Sequence, residues 1–96
     1  METIEIGQCD FTFTAVIETL DKGPDWNVVV LPDSKEIFGT GKSLKVAGTI
    51  DGAAFSSAFL PTGQGAHLLS VPAKIRKSIG KGLGDEVTVH LTQRLT

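Results

Sequence analysis

The sequence nearly repeats itself, and this feature constrains the fold more than any other. Residues 26–49 and residues 66–92 each run from an apolar segment through a proline and a mixed stretch to a glycine turn and a second apolar segment. Pro32 and Pro72 occupy the same place in the two copies. Each copy predicts a strand, a proline, a short helix, a glycine turn and a strand. We therefore expect an internal pseudo-two-fold repeat whose two halves complete one core.

Length and composition indicate one small globular domain. The chain has 96 residues, of which 41% are hydrophobic and 21% charged, so we expect a single domain over residues 1–96 with a core over about residues 9–93. There is no apolar run of membrane-spanning length and no basic-then-apolar start typical of a signal peptide. Cys9 is the single cysteine and cannot form an internal disulfide, so a cytoplasmic location and a core-packing role for Cys9 are expected.

The net charge of −2 conceals an asymmetry. Residues 1–40 carry eight acidic against two basic residues, a balance of −6, whereas residues 41–96 carry seven basic against three acidic residues, a balance of +4. The overall acidity argues against a nucleic-acid binder by charge alone. A local basic face stays open as an alternative.

The chain alternates between short apolar segments and turn-forming residues. The first segment, 9–20, has period two, with Phe11, Phe13 and Ile17 on one face. Helices are expected where each proline is followed by a mixed stretch, over 33–38 and 72–79. Strands are predicted over 9–20, 26–31, 44–50, 53–60, 66–71 and 86–91. Turns are predicted at 21–25 and at Asp51–Gly52, which is typical of a type I′ hairpin. Six strands and two short helices predict an all-β fold, a closed six-stranded barrel.

The motifs of common enzymes and metal sites are missing from the sequence. Residues 39–43 look like the end of a phosphate-binding loop, but Glu36 occupies the position of the required glycine, and the segment enters a strand instead of a helix. His67 and His90 have no metal-ligand spacing with other residues. No serine lies in a nucleophile elbow. We therefore predict no catalytic residue, no metal and no cofactor.

Two segments are candidates for binding. The second helix would carry four positive charges within eight residues, which favours a nucleic-acid surface: Lys74, Arg76, Lys77 and Lys81. The equivalent stretch of the first copy is not basic, so a solvated helix face is the plain alternative. The 61–67 loop contains Gly63, Gly65 and His67, and its glycines would let backbone N–H groups approach a small ligand. A long hairpin connection is the alternative there.

Residues 71–87 resemble the looped-hinge motif of the AbrB, MazE and MraZ group of swapped-hairpin proteins. Most of the chain, from Phe11 to Leu91, resembles the domain of unknown function family 1905. The matching residues are Trp26, Leu31, Pro32, Val46 to Gly52, Gly65, His67, Ile75 to Lys77, Ile79, Gly80, Gly84, Asp85 and Val87. The resemblance implies a single-chain, double-split β-barrel. The family has no established activity.

We therefore expect a non-catalytic binding or interaction module. The alternatives are a weak nucleic-acid-binding domain that uses the 72–81 helix and a small-molecule-binding barrel that uses the 61–67 loop. The partner is unknown from the sequence. A homodimer, or a protein domain fused to or associated with this one, fits a self-contained barrel, and no membrane partner is expected.

Overall fold

The computed structural model describes residues 4–19 and 27–96. The predicted turn at 21–25 and the start of the second predicted strand at Trp26 lie outside the described residues. Within the described part, the chain forms seven strands and two short helices, in agreement with the all-β prediction. Their bounds are β1 Gly7–Val16, β2 Glu18–Thr19, β3 Asn27–Leu31, α1 Ser34–Phe38, β4 Leu44–Ile50, β5 Ala53–Pro61, β6 His67–Ser70, α2 Ala73–Ile79 and β7 Glu86–Arg94.

All of these strands belong to one curled sheet. Their order is β1-β7-β4-β5-β6-β3-β2, and every pairing is antiparallel. Among the described residues no ladder joins β1 to β2, the two ends of this order. The prediction of a closed six-stranded barrel is therefore corrected to a curled half-barrel of seven strands.

The extra strand arises because the first predicted strand is divided at Ile17. The N–H of Ile17 donates to the carbonyl of Asp85 (3.0 Å), and the carbonyl of Ile17 accepts from the N–H of Gly84 (2.9 Å). These bonds go to a turn and not to a neighbouring strand, so the ladder is interrupted there. On either side of the break, β1 pairs with β7 and β2 pairs with β3.

The core lies on the inner face of the curled sheet, as the alternation in the first strand predicts. Phe11, Phe13 and Ala15 of β1 are partly buried against it, and the threonines between them are exposed. Phe59 of β5 is fully buried and lies 6.3 Å from the Phe13 ring, measured between ring centroids. The remaining buried members of the core are Ile17, Val29, Leu31, Phe38, Leu44, Val46, Ile50, Leu69, Val71, Val87, Val89 and Leu91.

Two strand–helix–strand units occur in the predicted places. The first unit begins at Asn27 and consists of β3, α1 and β4. The second begins at His67 and consists of β6, α2 and β7. Each helix ends at a glycine with a positive φ, Gly39 at 72° and Gly80 at 68°, which a residue with a β-carbon adopts only with strain. The two helices differ in burial, because α1 has two buried residues and α2 has none.

The predicted hairpin turn between β4 and β5 is present. Asp51 and Gly52 have φ values of 48° and 87°, the positive values that a type I′ turn requires at both central positions. The Asp51 carboxylate also accepts a hydrogen bond from the Thr88 N–H (2.7 Å). The turn is thereby attached to β7 and lies close to the residues that follow α2.

The Arg94 side chain holds α1 in place. Its guanidinium donates to the carbonyl of Phe38 (2.7 Å) and to that of Ile4 (2.5 Å), and it lies 5.8 Å from the centroid of the Phe38 ring. The N–H of Ile4 donates to the carbonyl of Ile37 (2.7 Å). The end of α1 is therefore bonded both to β7 and to the segment before β1, which fixes the helix that borders the site described next.

Candidate functional site

The predicted ligand loop forms one wall of a small depression. Its lining residues come from α1, from the turn before β4 and from the β5–β6 loop, and we call it the loop depression: Lys35, Gly41, Pro61, Gly63, Gly65 and Ala66. Its volume is about 170 Å³. Gly63 and Gly65, two of the three predicted loop residues, therefore lie beside residues of the other strand–helix–strand unit. The sequence did not single out Lys35 or Gly41 as partners of this loop.

Hydrogen bonds shape the loop and attach it to α1. The Lys35 N–H donates to the carbonyl of Gly65 (3.1 Å). Within the loop, the Thr62 N–H and hydroxyl both donate to the carbonyl of Ala66, at 2.9 and 3.2 Å. Gly63 and Gly65 have φ values of 87° and 84°, so the path of the loop depends on glycine at both positions. The depression thus has a wall whose backbone path is held by hydrogen bonds.

His67, the third predicted loop residue, lies behind the depression and does not line it. Its side chain is fully buried. Its Nε2 lies 2.8 Å from the carbonyl of Lys42 and its Nδ1 lies 2.5 Å from the hydroxyl of Ser34. Because a carbonyl can only accept, the neutral ring carries its proton on Nε2, and Ser34 donates to Nδ1. The ring therefore connects α1 to the turn before β4.

Aromatic rings enclose the same histidine. Phe38 and Phe59 each approach the His67 ring edge-on, with centroids 6.0 Å away and interplanar angles of 77° and 81°. Such geometry is favourable for aromatic pairs. His67 thus has a packing partner on each side as well as partners for both ring nitrogens. The geometry assigns the side chain a structural role beneath the depression.

The contact between Ser34 and His67 has the atoms of a nucleophile–base pair, a hydroxyl within hydrogen-bond reach of an imidazole. Both residues have 0% of their surface exposed. A substrate carbonyl therefore cannot reach the Ser34 Oγ in this conformation. Ser34 could not be recognised from the sequence, because its partner lies 33 residues away and neither residue lies in a motif.

The four predicted basic residues of the second helix fall into two groups. Lys74 and Lys77 are exposed on α2. Arg76 is half-buried and its Nε donates to the carbonyl of Val71 (3.1 Å). Lys81 lies beyond the end of α2, and its amine bonds to Asp51 (2.5 Å) and to the carbonyl of Glu86 (2.7 Å). The structure therefore brings only two of the four charges together on an open helix surface.

The Lys81–Asp51 ion pair perturbs the carboxylate. The hydrogen bond from Lys81 is the largest cause that lowers the pKa of Asp51, and the bond from the Thr88 N–H adds to it. The pair borders a wider groove of about 470 Å³ between the end of α2 and the β4–β5 turn, which we call the hairpin groove: Asp51, Gly52, Ala53, Ser78 and Ile79. The Lys81 ammonium is thus bonded to the turn and to the backbone of β7.

Comparison with known protein families identifies the family of this chain. The sequence profile of a domain of unknown function, DUF1905, matches residues 13–91. The chain belongs to this family. The matched range of the DUF1905 domain includes the loop depression, the buried His67 and α2. The family description assigns no activity to them. A comparison with curated proteins found no match.

The remaining candidate chemistry of the DUF1905 domain is sparse. In the described ranges 4–19 and 27–96, no three His, Cys, Asp or Glu side chains are grouped to hold a metal ion. His90 pairs with Asp10 at 2.6 Å on an exposed surface. Burial, and then the charge of Asp10, raise the pKa of the Cys9 thiol, which disfavours the reactive thiolate. None of the helices in the same ranges is long and apolar enough to cross a membrane.

Proposed function

We propose that this DUF1905 domain is a non-catalytic binding module, and that the loop depression is its ligand site. The observation that carries the proposal is that two separate parts of the chain together line the depression. Gly63 and Gly65 of the β5–β6 loop face Lys35 and Gly41 of the preceding strand–helix–strand unit. Small-ligand sites are concave and orient their ligands with a few polar groups, among them backbone N–H groups and a charged residue.

The size of the depression limits the ligand. A volume of about 170 Å³ corresponds to roughly five or six water molecules, at about 30 Å³ each. It therefore accommodates a molecule of similar heavy-atom count, or one end group of a larger molecule. The buried His67 network behind the wall supports binding, because a site held by fixed hydrogen bonds needs less ordering when a ligand arrives.

A thermal-shift screen with a metabolite library tests this function. We expect a subset of small polar compounds to raise the melting temperature of the wild-type domain, because ligands that bind only the folded state stabilise it. Gly41→Leu should abolish the response, since its side chain would enter the depression beside the Lys35 stem, whose Cδ and Cε lie 3.6 Å from a β-carbon built on Gly41.

Gly82→Leu is the matched control for this screen. A β-carbon at Gly82 meets nothing within 4 Å, and Gly82 does not line the depression. The control should therefore respond as the wild type does. A screen in which no compound stabilises the wild type, or in which Gly41→Leu and Gly82→Leu respond equally, would contradict the proposal.

A second candidate function is weak nucleic-acid binding by α2, which the exposure of both Lys74 and Lys77 favours. These residues are three apart in sequence and so share one side of the helix. Two phosphate contacts would give a weak affinity with a salt slope of about −2 in log–log form. The engagement of Arg76 and Lys81 in contacts within the domain is the reason that this candidate comes second.

Fluorescence anisotropy with duplex DNA at low salt tests the second candidate. We expect Lys74→Ala combined with Lys77→Ala to remove any binding of the wild type, because the two exposed charges would carry it. The matched control is Lys42→Ala combined with Lys45→Ala, which removes two exposed lysines from elsewhere. Binding that survives the α2 substitutions, or no binding by the wild type, would exclude this function.

We also propose that the sheet is a single-chain, double-split barrel with a pseudo-two-fold axis, distantly similar to the AbrB group. Two observations support it. Equivalent strands of the two units pair with each other, β3 with β6 and β4 with β7. The two ends of the strand order, β1 and β2, are separated only by Ile17, so the chain itself connects them. The loop depression then lies where one half meets the other.

A further inference from the structure

Some backbone groups of the loop that borders the depression are bonded, and others are available to a ligand. The carbonyls of Gly65 and Ala66 already accept bonds from the Lys35 N–H and from Thr62. The Gln64 N–H is also engaged, with the Thr62 hydroxyl at 3.3 Å. Among the described residues, no hydrogen bond uses the N–H of Gly63 or Gly65 as donor. Two carbonyls of the loop are therefore occupied, and the N–H groups of Gly63 and Gly65 are available as donors.

The backbone conformation of the loop is a second observation. Gly63 and Gly65 both have positive φ values and flank Gln64. Turns in which positive and negative φ values alternate are one setting in which backbone N–H groups bind anions. Glycine at both positions also lets a ligand approach the backbone closely.

The charge of the lining also favours an anionic ligand. Among the described residues that line the depression, Lys35 is the one ionisable residue, and its aliphatic stem lies against Gly41. Its neighbours Asp33 and Glu36 are exposed and do not belong to the lining. A ligand in the depression therefore meets an ammonium group and free amide donors. Such a set of donors is complementary to a group that only accepts hydrogen bonds.

We infer that the loop depression binds a small oxyanion, a carboxylate or phosphate group that is either free or the end group of a larger molecule. The Lys35 ammonium supplies the charge, and the N–H groups of Gly63 and Gly65 supply the directional bonds. This inference rests on the proposed function and specifies its ligand class. The volume of about 170 Å³ accommodates either group together with ordered water.

Amide NMR titrations at constant ionic strength test the ligand class. The probes are acetate and inorganic phosphate, with acetamide as the neutral counterpart of acetate. We expect both anions to shift the amide resonances of Gly41, Gly63 and Gly65, and acetamide to leave them unchanged. Lys35→Gln should weaken anion binding about tenfold, because a charge-assisted hydrogen bond becomes a neutral one. Lys74→Gln is the matched control, an exposed lysine on α2, and should bind as the wild type does.

The outcomes separate this inference from the proposed function. Equal binding of acetate and acetamide at the loop would overturn the oxyanion assignment and leave a ligand site there. Anion-induced shifts at Lys74 and Lys77 in place of the loop, or equal weakening by both lysine substitutions, would also overturn it. If neither anion shifts the loop amides but neutral library compounds do, the site exists with another ligand class. A larger affinity for phosphate than for acetate, or the reverse, would show whether the site prefers a phosphate or a carboxylate group.

Discussion

Substitution of Gly48 by alanine is expected to destabilise the domain by about 3–5 kcal/mol, a size reached when a substitution forces backbone to move. Gly48 lies in β4 opposite Leu91 of β7, beside a register shift. A β-carbon built there lies 1.9 Å from the carbonyl oxygen of His90 and 2.9 Å from its carbonyl carbon. Both obstacles are backbone atoms of the neighbouring strand β7, so no rotamer change relieves the contact. The two strands would have to separate.

The matched control is the same substitution at Gly82. Its φ is not positive, and a β-carbon there meets nothing within 4 Å. We expect Gly82→Ala to change stability by less than about 1 kcal/mol, with a small gain from the reduced entropy of the unfolded chain. Urea unfolding followed by circular dichroism measures both variants. Equal stability of Gly48→Ala and Gly82→Ala would show that β4 and β7 do not approach each other as described.

His67→Ala is the second substitution with a large expected effect, a loss of about 3–5 kcal/mol, similar to the removal of a buried aromatic ring. It creates a cavity between Phe38 and Phe59, which both contact the ring edge-on. It also leaves the Ser34 hydroxyl and the Lys42 carbonyl without their partner. An unsatisfied buried polar group costs about 1–3 kcal/mol.

His90→Ala is the matched control for this substitution, because it removes the same side chain from an exposed pair. Its partner Asp10 has a side chain that is 87% exposed, and exposed ion pairs contribute little to stability. We expect His90→Ala to change the free energy of unfolding by less than about 1 kcal/mol. A His67→Ala variant that unfolds at the urea concentration of His90→Ala would contradict the structural role of His67.

Features encoded by neighbouring residues could be predicted from the sequence. The alternation of Phe11 and Phe13 with threonines identifies the inner face of β1. The Asp51–Gly52 dipeptide identifies the hairpin turn, since both residues need positive φ. Pro72 and Gly80 delimit α2 for similar local reasons. Each of these depends on the conformational limits of a few adjacent residues.

Features that depend on distant residues could not be predicted. The break at Ile17 depends on bonds to Gly84 and Asp85, nearly seventy residues away. Lys81 is withdrawn from the basic surface by Asp51, thirty residues earlier in the sequence. No local pattern indicates such partners, because they meet only when the sheet curls.

The assembly of the candidate site follows the same rule. The loop glycines were recognised from their composition, but Lys35 joins them only through the bond of its N–H to Gly65. His67 was a candidate for the ligand loop, since it follows the loop glycines. It is buried instead, because Ser34 and the Lys42 carbonyl provide partners for both ring nitrogens.

The location of the ligand is the central claim, and amide NMR of the wild-type domain with the most stabilising compound of the screen tests it most directly. We predict that the largest shift changes map to Gly41, Gly63, Gly65 and Ala66, the backbone lining of the loop depression. They should disappear in Gly41→Leu and persist in Gly82→Leu. Largest changes along α2, over Ala73–Ile79, or beside the hairpin groove at Asp51 and Gly52 would contradict the assignment.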